Sequence, residues 1–170
     1  MKFKTYLCIP FILVLFSCKE QPKEKQSDTE APAAKIEDVA VTSSYSDLEG
    51  NPIELGDYKG KRVFLNYWAT WCRPCIEEMP DLLKLQAILL KENYVFLLAS
   101  DESFAKIKKF KEARNFDFKF IKYNGTYGLL DINALPVTFV YNEAGEQVLR
   151  FDGAMDWNTQ EVIEKLKNRD

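Results

Sequence analysis

The chain has 170 residues, 46% of them hydrophobic, which suits one folded domain with a sizeable core plus attachments. A net charge of −3 is too mild to point to nucleic acid. There is no histidine, which excludes a Cys-His catalytic pair and a His-ligated zinc or copper site. Haem attachment is excluded too, because Ile76 follows Cys75 where a histidine would be needed. A four-cysteine zinc site would need two Cys-x-x-Cys pairs, and the chain has one, so no metal or other cofactor is expected.

At the start, Lys2 and Lys4 precede an apolar run over 7–16 that ends at Ser17-Cys18. The run is too short to cross a bilayer, and its flanks fit a secretory signal over 1–17. Leu15-Phe16-Ser17-Cys18 resembles the bacterial lipobox, which implies cleavage before Cys18 and lipidation of its thiol. A plain signal peptide with an incidental cysteine is the other reading. Lipidation would place the protein in a bacterial cell envelope, anchored on the extracytoplasmic side. It would also leave Cys72 and Cys75 as the free thiols, and loss of Lys2 and Lys4 takes the net charge to −5, from 21 basic and 26 acidic residues. Residues 18–38 are charged, Pro-containing and nearly free of large apolar side chains, so they read as a flexible tether spanning about 25 Å root-mean-square.

The folded domain is expected over 39–170. Strand-like pieces over 39–55 flank the turn Leu48-Glu49-Gly50-Asn51-Pro52, predicting an N-terminal hairpin. The run Val63-Phe64-Leu65-Asn66-Tyr67-Trp68 predicts a buried strand, and helical spacing from Pro74 onward predicts a helix over 73–91. Ile76, Met79, Leu82, Leu83, Gln86 and Leu90 fall roughly on its inner side, and Pro80 is expected to kink it. A strand over 94–100, a helix over 103–114 and a strand over 116–122 follow. A short helix near 127–130 comes next, then a hairpin of 137–141 with 147–151 and a helix opened by Asn158 as N-cap with Glu161. This alternation predicts an α/β fold, a mixed central sheet flanked by helices on both faces.

Between the first long strand and its helix lies Trp71-Cys72-Arg73-Pro74-Cys75. Two cysteines three apart in the first helical turn share a face and are close enough to bond. Cys72 sits where unpaired backbone N–H groups and the helix dipole favour negative charge, which makes a thiolate, the form that attacks disulfides. Cys72 is the candidate nucleophile, with its sulfur expected at the surface, and Cys75 the candidate resolving thiol; a merely structural disulfide would have no need of Trp71 or Pro74. Pro74 suits the first turn, where its missing N–H has no partner to lose. Arg73 either supports the thiolate or is solvated. Glu78 projects from the same face as Cys75 and is, from spacing alone, as much a solvated acid as a proton carrier.

These residues carry a resemblance. Trp-Ala-Thr-Trp-Cys-x-Pro-Cys after the 63–68 strand, Glu78-Met79-Pro80 after the motif and Leu135-Pro136-Val137-Thr138 later resemble the thioredoxin superfamily, in its TlpA/ResA-like membrane-anchored branch. The resemblance covers the chain from about Tyr45 onward. It implies a thioredoxin-like fold and an extracytoplasmic thiol-disulfide oxidoreductase, with Glu78 as the acid that takes a proton from Cys75. Thioredoxins proper carry an aspartate six residues before the first cysteine, where this chain has Asn66. The resemblance also implies a cis bond at Leu135-Pro136 beside the dithiol, where a substrate strand pairs. Trp71, Arg73, Pro74, Leu135 and Pro136 are therefore candidate substrate contacts, and Trp68 a core residue.

Expected partners are disulfide-containing envelope proteins, a membrane dithiol as electron donor, and the membrane through the lipid. The chain is expected to be a monomer. The alternatives are a disulfide oxidase or isomerase on the same scaffold, and a non-catalytic binding module. A thiol peroxidase is less favoured, since its signature pairs Thr and Cys in a different loop pattern.

Overall fold

A computed structural model describes residues 43–168; the expected signal peptide, Cys18 and the tether lie outside the described residues. Seven strands among those residues form one mixed sheet: β1 (Tyr45–Ser46), β2 (Pro52–Ile53), β3 (Arg62–Tyr67), β4 (Tyr94–Ser100), β5 (Lys119–Tyr123), β6 (Val137–Tyr141) and β7 (Gln147–Asp152). Their order is β2-β1-β5-β4-β3-β6-β7. The central strands β3, β4 and β5 run parallel, whereas β6, β7 and β1 are antiparallel to their neighbours. The expected N-terminal hairpin is reduced to the two-residue pair β1 and β2, with the chain before Ser43 outside the described residues.

The pleat of β3 sorts its side chains onto two faces. Phe64 and Trp68 join one core cluster, on the face that Asn66 shares with them. Val63, Leu65 and Tyr67 join the other cluster. The helices α1 (Arg73–Leu89), α2 (Phe104–Arg114) and α3 (Gln160–Lys167) all bury their apolar residues in the first cluster. The second cluster is covered instead by single-turn 3-10 helices at Leu55–Tyr58 and Tyr127–Leu130 and by a layer of tyrosines. The expectation of helices on both faces is thus met unevenly. The chain steps from β3 to β4 to β5 in one direction across the sheet, and right-handed crossovers then place α1 and α2 on the same side.

Three boundaries differ from the sequence reading. α1 ends at Leu89, and a 3-10 turn over Leu90–Glu92 closes on Asn93 in the left-handed conformation, φ 62°. Its buried stripe is Cys75, Glu78, Met79, Leu82, Leu85 and Leu89, one position off the expected set, so Leu90 is left exposed. β5 begins at Lys119; ahead of it Phe116 stacks on Phe110 and Phe118 lies edge-on to Phe120. α3 is capped by Thr159, whose hydroxyl accepts from Val162 N–H; the Asn158 N–H turns to Asp156 instead.

Candidate active site

The parallel strands carry the site at their C-terminal ends. β3 runs out at Tyr67, the chain turns through Trp68-Ala69-Thr70-Trp71, and Cys72 is the N-cap of α1. Cys72 and Cys75 form a disulfide with Cα atoms 5.3 Å apart, and Cys72 Sγ accepts from Cys75 N–H at 3.3 Å. The expected exposed sulfur is not found. In the disulfide-bonded protein Cys72 is 4% exposed and Cys75 1%. Trp71 stands out beside them at 69% exposure, while Trp68 is fully buried, as expected. Pro74 lies in the first turn of α1. Arg73 is exposed and its Nε donates to Glu77 at 2.7 Å, so its charge is directed to a helix neighbour.

One turn beyond Cys75, Glu78 is buried at 5% exposure on the sheet side of α1. Its Oε2 accepts from Trp157 Nε1 at 2.8 Å and from Met155 N–H at 3.2 Å, and its Oε1 from Asn66 Nδ2 at 3.1 Å. Burial pushes its pKa above the ordinary 4.5, and the three donors only partly offset that. This buried, hydrogen-bonded environment does not fit the solvated-acid alternative. Asn66 also donates to Thr138 Oγ1 at 3.0 Å across the β3–β6 pair.

Leu135-Pro136 is cis. Pro136 leads directly into β6, whose first residue Val137 pairs with Tyr67 at the motif end of β3. Leu135 is partly buried against both core clusters.

Two residues of this region had no signal in the sequence. Trp157 sits in the loop before α3, fully buried, edge-on to Phe64 and Phe151, and supplies the shortest bond to Glu78. Glu102 follows β4, buried at 8% exposure, and accepts from Thr70 N–H at 2.6 Å and Thr70 Oγ1 at 2.9 Å. Tyr127 adds a second tie, donating to Trp68 O at 2.7 Å and accepting from Asp101 N–H at 3.1 Å. The loop that presents Cys72 is therefore pinned from β4 and from the 127–130 turn. A glutamate in Ala99-Ser100-Asp101-Glu102 and a tryptophan in Met155-Asp156-Trp157 look like ordinary loop residues until the fold brings them together.

The profile of the AhpC/TSA family matches residues 29–150. The thiol-disulfide oxidoreductase ResA of Geobacillus kaustophilus is 33% identical over 140 residues, 81% of this chain and 79% of that protein. ResA of Bacillus anthracis is 39% identical over 126 residues, 70% and 69% of the two chains. The crystal structure of the exposed lipoprotein thioredoxin of Streptococcus pneumoniae superposes with a TM-score of 0.59 at 22% identity, covering 70% of this chain and 95% of that one, a likeness of fold. The dithiol at a helix N-terminus, the sheet behind it and these relatives agree: the chain belongs to the AhpC/TSA thioredoxin-like family, among the ResA-type thiol-disulfide oxidoreductases.

Proposed function

We propose that this thiol-disulfide oxidoreductase works as a reductant of protein disulfides outside the cytoplasm, tethered to the membrane through a lipid on Cys18. The observation that carries the reading is the pairing of the Cys72-Cys75 disulfide at the start of α1 with a buried, three-donor carboxyl at Glu78. In the reduced protein the Cys72 thiolate attacks one sulfur of a substrate disulfide. A Cys72–substrate mixed disulfide forms, and the other substrate sulfur leaves as a thiolate. Cys75 then gives its proton to Glu78 and attacks Cys72 Sγ. The Cys72–Cys75 disulfide closes and the second substrate thiolate leaves, taking up a proton from solvent. The substrate has gained two electrons and the protein has lost two. A membrane dithiol restores the Cys72 and Cys75 thiols.

Trp71 is the exposed apolar wall that a substrate meets beside Cys72; Leu135 offers backbone next to the start of β6, and Pro136, whose carbonyl accepts from Gly153 N–H, holds that backbone in place. Pro74 shapes the first helical turn between the two sulfurs. Arg73 lends the rim a positive charge shared with Glu77. No bound cofactor is needed for this step, since the Cys72/Cys75 dithiol itself supplies the two electrons.

The test is the reduction potential of Cys72/Cys75 in the full chain, measured by equilibration with dithiol buffers. A value near or below about −250 mV supports the reductant reading, and one above about −150 mV makes the protein an oxidant or isomerase. A pair that exchanges with no model disulfide would leave only a binding role.

A further inference from the structure

The cradle around Glu78 is uneven. Oε2 already accepts two bonds, from Trp157 Nε1 and Met155 N–H, whereas Oε1 accepts one, from Asn66 Nδ2. A carboxylate oxygen has two lone-pair positions, so the vacancy is on Oε1. Asn66 is uneven too. Its Nδ2 donates twice, to Glu78 Oε1 and Thr138 Oγ1, while its Oδ1 is buried with no partner among the described residues. Asn66 and Thr138 are each 1% exposed. A buried amide oxygen left without a donor is costly, and such an orphan calls for a second state in which it is used.

We propose that Asn66 is the positioning residue for proton transfer at Glu78: its amide donates to ionised Oε1 and turns half a revolution about its terminal torsion to accept from Oε1–H. This rests on the reading of Glu78 as the proton acceptor of Cys75. In that step the Cys75 S–H bond breaks and a Glu78 Oε1–H bond forms. The new O–H meets an N–H donor at Asn66 and needs an acceptor, and Oδ1 is available on the same side chain. The two ends of an amide are nearly the same size, so the turn asks little of the packing, and it carries Nδ2 to the buried position that Oδ1 held. After it, Oδ1 accepts from Glu78 Oε1–H and from the Thr138 hydroxyl, which rotates to donate. Trp157 and the Met155 amide keep Oε2 in place through both states.

Among the described residues, the groups hydrogen-bonded to Glu78 are uncharged: Asn66 from β3, with the Thr138 hydroxyl beyond it on β6, and Trp157 and the Met155 amide from the loop before α3. Of the nearby acids, Glu77 pairs with Arg73, Asp81 pairs with Lys84, and Asp156 is exposed. In the oxidised protein the cysteines hold no titratable proton, so Glu78 is the group the site reports.

The experiment is a pH titration from 4 to 9 of the oxidised full-length chain, labelled with carbon-13 and nitrogen-15. It follows the Glu78 carboxyl carbon and the Asn66 side-chain NH2 resonances. The Asn66 signals are expected to shift with the same midpoint as the Glu78 carbon, and the shift should vanish in Glu78→Gln. A Glu78 carbon that titrates while the Asn66 signals stay fixed overturns the proposal. Asn66→Leu, matched in shape but without either polar end, should slow mixed-disulfide resolution about tenfold, a part of the 10²–10⁴ that a positioned base supplies. Resolution at the wild-type rate in Asn66→Leu also overturns it. The underlying role of Glu78 fails by a different result, wild-type resolution in Glu78→Gln.

Discussion

Replacing Trp157 by phenylalanine removes one N–H while keeping an aromatic ring between Phe64 and Phe151, whose centroids lie 5.1 and 5.3 Å from the indole. The lost bond is the 2.8 Å contact to Glu78 Oε2. To an ionised carboxylate such a bond contributes about 1.5–3 kcal/mol, and to the neutral acid about 1. The difference of about 1 kcal/mol favours the neutral acid, so the pKa of Glu78 rises further in the variant. The sign follows from linkage. The folded-state pKa of Glu78 already lies above its ordinary 4.5, so the folded protein holds a proton that the unfolded chain has released. That contribution to stability is full below 4.5 and is lost as pH rises through the folded value. In Trp157→Phe the loss at high pH should be deeper by about 1 kcal/mol than in the wild type. The smaller ring also leaves a packing defect, but that cost is the same at every pH. The assay is guanidinium unfolding of the oxidised chain by far-ultraviolet circular dichroism, at steps between pH 4 and 9. A wild-type-minus-variant difference that stays flat across this range refutes the reasoning, because it leaves the indole with a packing role alone.

Other substitutions separate the parts of the site. Cys72→Ser should abolish turnover, and Cys75→Ser should accumulate mixed disulfides visible by mass spectrometry under non-reducing conditions; two fully active single variants would remove the dithiol from the mechanism. Glu102→Ala strands the Thr70 N–H and should cost about 1–3 kcal/mol together with a slower first attack by Cys72, whereas Glu102→Gln keeps an acceptor and should recover most of both. Equal effects in the two would mean that the carboxyl does not hold the Thr70 loop. Trp71→Ala, at an exposed position, should change stability by less than about 0.5 kcal/mol while raising KM for a protein substrate. An unchanged KM would take Trp71 out of substrate contact.

What was legible in the sequence was local. The 63–68 run announced β3 through its β-branched and aromatic residues, and Pro74 after Cys72 announced the start of α1. The cysteine spacing alone predicted the disulfide. The stripe of α1 was misread by one position because Leu83, Gln86 and Leu90 satisfy helical spacing as well as Leu85 and Leu89 do. Only the angle at which the helix meets the sheet chooses between them. Phe116 and Phe118 alternate like a strand, yet Phe116 stacks on Phe110 and Phe118 packs against Phe116 and Phe120.

The part of the site that sets its proton chemistry is long-range by construction. Trp157 lies 79 residues from Glu78, Thr138 lies 72 from Asn66, and Glu102 lies 32 from Thr70. No periodicity links such pairs; the sheet order does, by placing β6 beside β3 and setting the loop before α3 against the start of α1. Asn66 shows the consequence. As a residue type it lacks the ionisable group that thioredoxins proper carry at this position. In the fold its amide lies between the buried acid and Thr138, with a donor engaged at both and an acceptor held in reserve. A neutral side chain can serve both charge states of its neighbour where a second carboxylate would repel one of them. On the proposed mechanism, an acid at Glu78 on the helix leaves the strand position to an amide that follows the proton without carrying it.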